Sequence, residues 1–182
     1  MLNWIIKSIT AAVLSHGFFL WIGPYIVMTK LDKDLERVRT EYRSECGERW
    51  VEGVIYSNPD CLGKRSSRRP NPDFIYTLIP YDLKKGNLLV SAPVPSDDRY
   101  WSIHAHNRNT DAFYKITNTE IDGNRFKFLV TRDRNLRSEL SVAYASSNKG
   151  LILFRLTMKN FSEYSILDEF RRSTNRKYVE KL

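Results

Sequence analysis

The longest unbroken apolar pattern in the chain is Ser8–Met28, SITAAVLSHGFFLWIGPYIVM, which contains no Lys, Arg, Asp or Glu. About twenty such residues cross the hydrocarbon core of a bilayer as a helix. The pattern therefore predicts a transmembrane anchor over residues 1–30. No small-x-small cleavage site follows the apolar core; Trp21, Pro24 and Tyr25 stand in its place, so the anchor is expected to stay uncleaved. Trp4, Trp21 and Tyr25 lie towards its two ends, where aromatic rings favour the membrane interface. Beyond it, Leu31, Leu35, Val38 and Tyr42 recur at helical spacing with charges between them. That is an amphipathic stem over 31–46. The pairs Glu36/Arg39 and Arg37/Glu41 support it, and Gly47 is its expected stop.

After Gly47 the period changes from helical to alternating. Val51–Tyr56 reads as one short strand, broken by Ser57-Asn58-Pro59. Further strands are expected at Phe74–Ile79, Leu88–Ala92, Tyr100–His106, Ala112–Thr117, Phe126–Thr131, Leu140–Ala145 and Leu151–Met158. Turn residues separate them at Lys84–Asn87, Asn107–Asp111, Asp122–Asn124 and Asn148–Gly150, and these suggest hairpins between chain neighbours. Asn160, with Glu163 three residues on, resembles a capping box opening a closing helix. Its apolar stripe is Phe161, Tyr164, Leu167 and Phe170, with Arg171, Arg172, Arg176 and Lys177 towards its end. The expected fold class is α+β: an N-terminal transmembrane helix, an amphipathic stem, an antiparallel β-sheet or sandwich, and a C-terminal helix. The globular part is residues 47–182.

The chain has 182 residues, which leaves about 150 outside the anchor, the size of one ordinary domain. Aromatic residues make up 13%, enough to fill a core. The net charge is +8, spread along the chain without a recognition motif, so nucleic acid is not an expected partner. Anionic membrane lipid or an acidic protein partner fits that charge better. A basic loop carries Lys64, Arg65, Arg68 and Arg69; with His16 and Trp21 in the anchor, these are the candidate partner or membrane contacts. His16 is costly inside a bilayer unless it meets a partner. Counting Lys and Arg alone places the C-terminal side in the cytoplasm.

No nucleophile motif and no phosphate loop occurs, so no catalytic residue is assigned. His104 and His106 share a strand face but would need a third ligand, such as Asp111 or Asp98, so no metal and no cofactor is expected. Arg155 interrupts the apolar run LILFRL. If buried, it needs a carboxylate or backbone partner. Asp82, Asp98, Tyr100, His104 and Arg155 form the candidate ligand pocket. Cys46 and Cys61 are a possible disulfide in an oxidising compartment and two free thiols otherwise.

In order and spacing, Pro72-Asp73, Asp82-Leu83 with Gly86, Tyr100-Trp101-Ser102, Phe113-Tyr114 and the run Gly150–Arg155 resemble the core of the domain of unknown function 1254 family. The likeness extends over nearly the whole chain, and a His within the anchor, like His16, fits it too. Members often carry a Cys before the Asp-Leu pair; here Tyr81 stands there, and Lys181-Leu182 replaces a late Cys. The family's disulfide is therefore not carried over, and the candidate pair Cys46–Cys61 is a separate reading. The resemblance implies a bacterial inner-membrane protein with its domain outside the cytoplasm. It also implies a partner bearing the companion 1214-type domain. The expected role is a non-catalytic, membrane-anchored subunit that docks on that partner. The alternative is an envelope-facing enzyme or small-ligand-binding domain with its site near Asp82, Tyr100 and His104.

Overall fold

The computed structural model describes residues 2–40, 49–58, 71–121 and 123–179. Helix α1, Leu2–Thr40, is continuous through Pro24 and joins the anchor pattern to the stem pattern. One helix in the described chain is long and apolar enough to cross a membrane, and it is this one. Its large side chains Trp4, Ile9, Leu14, Phe18, Leu20, Trp21 and Ile26 are all exposed. Met28 and Leu35, by contrast, are buried against the rest of the protein.

Ten strands follow. They are β1 (Arg49–Val51), β2 (Val54–Tyr56), β3 (Phe74–Asp82), β4 (Asn87–Pro93) and β5 (Trp101–Asn107). Then come β6 (Ala112–Thr117), β7 (Arg125–Thr131), β8 (Ser141–Tyr144), β9 (Lys149–Thr157) and β10 (Asn175–Val179). Helix α2, Tyr164–Arg171, lies between β9 and β10. Sheet 1 runs β1-β2-β3-β9-β5-β6 and sheet 2 runs β10-β4-β7-β8. All neighbours are antiparallel except β7 and β8, which are parallel.

The two sheets close on a single core. Ile75, Ile79, Ile103, Ile152 and Phe154 of sheet 1 meet Leu88, Val90, Phe126, Phe128 and Val130 of sheet 2. Trp101 is buried with its ring edge-on to Phe154 at 6.3 Å. Strand alternation supplies these inward faces, and burial of the apolar side chains drives the sheets together.

The α+β class holds, while the connectivity differs from the hairpin expectation. Strands β3 and β4 lie in different sheets, as do β6 and β7, and β8 and β9. A turn residue marks a reversal, and the reversal can arch between sheets as readily as it can form a hairpin. The run Val51–Tyr56 is itself a hairpin rather than one strand. Glu52 and Gly53 turn it, both at positive φ (48° and 84°), the geometry of a two-residue type I′ loop. A Cβ at Gly53 would overlap the Arg176 guanidinium.

The closing helix is shorter than its pattern. Asn160 accepts from the Ser162 N–H and Glu163 reaches back to the Lys159 N–H, as in a capping box. The helix ends at Arg171, and Arg176 and Lys177 belong to β10, paired to β4 from Asn175↔Ser91 to Val179↔Asn87. Two anchors explain this. The Tyr56 hydroxyl donates to the Thr174 carbonyl at 2.9 Å, and the Arg176 guanidinium donates to the carbonyls of Pro80 and Glu52.

Arg171 is fully buried. Its guanidinium binds Asp168 at 2.6 Å, donates to the Ser57 carbonyl at 2.6 Å and to the Tyr76 carbonyl, and lies over the Tyr56 ring. Burial pushes the Asp168 carboxyl up, but hydrogen bonds from Arg172 and Arg171 outweigh it and hold the group below its ordinary value. Removing one partner of such a pair strands the other charge. Arg171→Ala should lower unfolding stability by about 3–5 kcal/mol. Arg172→Ala, at the solvent-facing side of the same carboxylate, should cost about 1 kcal/mol or less. Urea unfolding of the two variants followed by tryptophan fluorescence checks the contrast.

Candidate functional site

Sheet 1 has an inner face in the core and an outer face with two halves. At one half the stem of α1 packs Met28, Leu31 and Leu35 on Ile55, Leu78 and Leu151. Arg108, in the β5–β6 loop, donates to the Thr29 hydroxyl at 3.4 Å. At the other half α1 is absent. There the register sets Arg155 of β9 directly between Tyr76 of β3 and Ser102 of β5.

Arg155 is held on three sides. Its Nε donates to the Ser102 hydroxyl at 3.0 Å, and its Nη2 lies 3.3 Å from Nε2 of His104. A guanidinium only donates, so His104 Nε2 accepts and the imidazole proton sits on Nδ1. The guanidinium carbon lies over the Phe74 ring at 5.6 Å. Tyr100 meets Phe74 edge-on at 6.0 Å, and Phe74 lies 6.3 Å from Tyr76. Ser102 is fully buried, while Arg155 and His104 are half-buried. Burial, then the charges of Arg155, His106 and Lys115, hold the His104 pKa below its ordinary value.

Three of the five pocket candidates therefore converge: Tyr100, His104 and Arg155. Two do not. Asp82 ends β3 at the far side of the sheet, where its carboxylate accepts from the Lys84 N–H at 3.1 Å. That is a capping role, dictated by the 3-10 turn Leu83–Lys85. Asp98 lies exposed in the loop before β5. Arg155 is only half-buried, so it does not meet the condition under which a carboxylate or backbone partner was expected, and it finds two neutral side-chain acceptors. Phe74, Tyr76 and Ser102 are members of the site that sequence reasoning left out. Ser102 was within reach, since it alternates with Tyr100 and His104. Phe74 and Tyr76 depend on β3 and β5 flanking β9, which no local pattern encodes.

The remaining candidates are placed as follows. His16 and Trp21 are exposed on α1, with Trp21 edge-on to Tyr25 at 6.5 Å. Lys64, Arg65, Arg68, Arg69, Cys46 and Cys61 lie outside the described residues. Among the described residues, no three His, Cys, Asp or Glu side chains are grouped to hold a metal. A cleft of about 430 Å³ lies beneath the stem of α1. Asp32, Glu36 and Asp82 line it together with Lys85, Lys149 and Arg176, so its formal charges balance. Arg176 is already committed there to two backbone carbonyls.

The Arg155 cluster sets one cation against two neutral acceptors. The guanidinium stands between the Ser102 hydroxyl and the His104 imidazole, and both accept from it. His104 Nε2 is thus unavailable as a base towards Ser102, which removes the arrangement that would activate a nucleophile.

The family model Protein of unknown function (DUF1254) matches residues 55–176. No curated protein matches the sequence. Among solved structures, the VPA0106 protein from Vibrio parahaemolyticus is similar at TM-score 0.58 and 12% identity, over 88% of this chain and 36% of that one. A putative uncharacterized protein from Burkholderia cenocepacia is similar at TM-score 0.46 and 15% identity, over 59% of this chain and 31% of that one. This chain thus spans about a third of the length of each. At such identity the Vibrio structure shows a shared fold.

The depressed His104 pKa has a measurable consequence. The unfolded chain takes up a proton on this imidazole near pH 6.5, whereas the folded chain resists it. Stability should therefore be lost as pH falls below about 6.5, down to the folded pKa, and return as pH rises. The urea midpoint, measured across this range, should slope in the wild type and flatten in His104→Gln.

Proposed function

We propose that this chain, which belongs to the DUF1254 family of proteins of unknown function, is a membrane-anchored, non-catalytic subunit of a bacterial envelope complex. Its β-sandwich docks on a partner protein, and the companion 1214-type domain is the partner's expected module. The observation that carries the reading is the continuity of α1. A single helix runs from an exposed apolar segment into a stem whose Met28, Leu31 and Leu35 are seated on sheet 1. A subunit that presents a domain at a bilayer needs that seating, because a docked helix fixes which face of the domain is offered.

Two further observations agree. Ser102 and His104 both accept from Arg155, an arrangement suited to binding. The exposed His16 on the apolar half of α1 supplies a polar group that a second membrane helix would satisfy. We place the anchor in the inner membrane and the sandwich on the periplasmic side. The family resemblance supports that side, against the count of Lys and Arg after the helix.

Purification of the full chain from native membranes in mild detergent tests this function. It should return a second protein in stoichiometric amount. Recovery of this chain alone overturns the docking reading. A reporter fused after Leu182 should be active only if it functions in the periplasm.

A further inference from the structure

The guanidinium of Arg155 has three donor edges, and the fold uses only some of them. Ser102 and His104 stand two residues apart on one face of β5, and together they accept from Nε and Nη2. This satisfies the side-on fork of the guanidinium. Phe74 covers one of its flat faces. Among the described residues, Nη1 has no hydrogen-bond partner, and Arg155 forms no ion pair. The end-on edge, made of Nη1 and the second hydrogen of Nη2, is therefore held in place and unfilled.

The charged groups that act on His104 are Arg155, His106 and Lys115, all cations or potential cations. Lys115 stands across from His104 on β6. Glu120, which follows β6, turns its carboxylate onto the Thr117 N–H and hydroxyl. A half-buried cation without a counter-ion attracts one, and a pinned guanidinium recognises two parallel oxygens.

We infer that the end-on edge of Arg155 is a carboxylate-binding site, with Phe74 and Tyr100 flanking the apolar body of the ligand. One fork offers two hydrogen bonds, which match the two oxygens of a carboxylate. A phosphate would ask for further donors, of the kind that a helix N-terminus or a nest of backbone N–H groups provides, and among the described residues neither lies beside Arg155. The inference stands apart from the docking reading, because a free carboxylate fills the edge whether or not a partner protein is present.

The test uses the full chain in detergent micelles, with its histidines labelled with carbon-13 at the ring Cε1. The chain has three His, so His104→Gln identifies the relevant signal. Titration with benzoate should shift the His104 signal saturably. It should also raise the pH at which that signal titrates, because a nearby negative charge favours the imidazolium. Benzamide, of the same shape and neutral, should do neither. Arg155→Lys keeps the charge but loses the fork, and should weaken benzoate by about tenfold or more. If that variant does not fold, benzoate against benzamide in the wild type still decides.

A third ligand and a peptide pair complete the test. Tighter binding of phenyl phosphate than of benzoate overturns the carboxylate assignment. So does an equal response to benzoate and benzamide, or no saturable response to benzoate. N-acetyl-dialanine and its amide separate the sources. A response to the acid and not the amide supports the site and, where it exceeds that of benzoate, identifies a polypeptide carboxylate as the ligand.

Discussion

One buried cation ties helix α2 to the β2/β3 side of sheet 1. Removing a guanidinium from water costs several kcal/mol, and Arg171 offsets that with partners drawn from separate elements. Asp168 comes from its own helix, the Tyr76 carbonyl from β3, and the Ser57 carbonyl from just beyond β2. The Tyr76 carbonyl also receives the Ser57 N–H and hydroxyl. Helix α2 therefore cannot slide without leaving a charge or a carbonyl unpaired. Its end is also where Thr174 receives the Tyr56 hydroxyl and the chain turns into β10. The edge of sheet 2 at β4 depends in this way on a contact made to sheet 1.

Sheet 1 then divides its outer face by function. An antiparallel sheet with one wetted face is expected to show polar residues there. Instead Ile55, Leu78 and Leu151 form an apolar end, and α1 covers it. On the core side of the same end, Gly150 lets two strands meet. A side chain there would overlap both the Tyr81 hydroxyl and the His106 carbonyl, which meet across β9 at 3.1 Å. That contact ties β3 to β5 over the strand between them. Covering the apolar end with a helix that continues into an apolar segment makes the tether part of the fold. The other half of the face, carrying Arg155, stays available.

How far the sequence reached follows from the range of each signal. Between Phe74 and Thr157 the strand segments are legible to within about three residues at each end, because alternation and turn residues act locally. Leu151–Met158 and Ala112–Thr117 match β9 and β6 closely. The start of the stem is legible from Leu31 and Leu35, which pack on sheet 1, while Tyr42 and Gly47 lie outside the described residues. Pairing is not legible, because a turn such as Lys84–Asn87 does not say whether the next strand lies alongside or across the core. The close of the chain misled for a related reason. Arg176 and Lys177 suit a helix end, and only contacts with Pro80 and Glu52, distant in sequence, make them a strand. At the site, Tyr100, His104 and Arg155 were legible as one alternating face and one anomalous charge. Asp82 and Asp98 enter by residue type; Asp82 caps the Leu83–Lys85 turn and Asp98 lies exposed in the loop before β5.

The two arginines show why compensation separates a structural charge from one available to a ligand. In the sequence, Arg155 is the anomaly and Arg171 an ordinary residue at a helix end. In the fold, Arg171 is the more deeply buried, and a carboxylate with two carbonyls answers it in full. Arg155 is only half-buried, yet the positions opposite it in register are Tyr76 and Ser102, neither of them acidic. A carboxylate at either would give a structural ion pair, and an apolar residue at 155 would continue LILF without any charge to satisfy. The neutral partners do something different: Ser102 and His104 orient the guanidinium without neutralising it. Orientation with the charge left standing is what recognition of an anion requires, because the ligand then meets a donor pair whose geometry is already set.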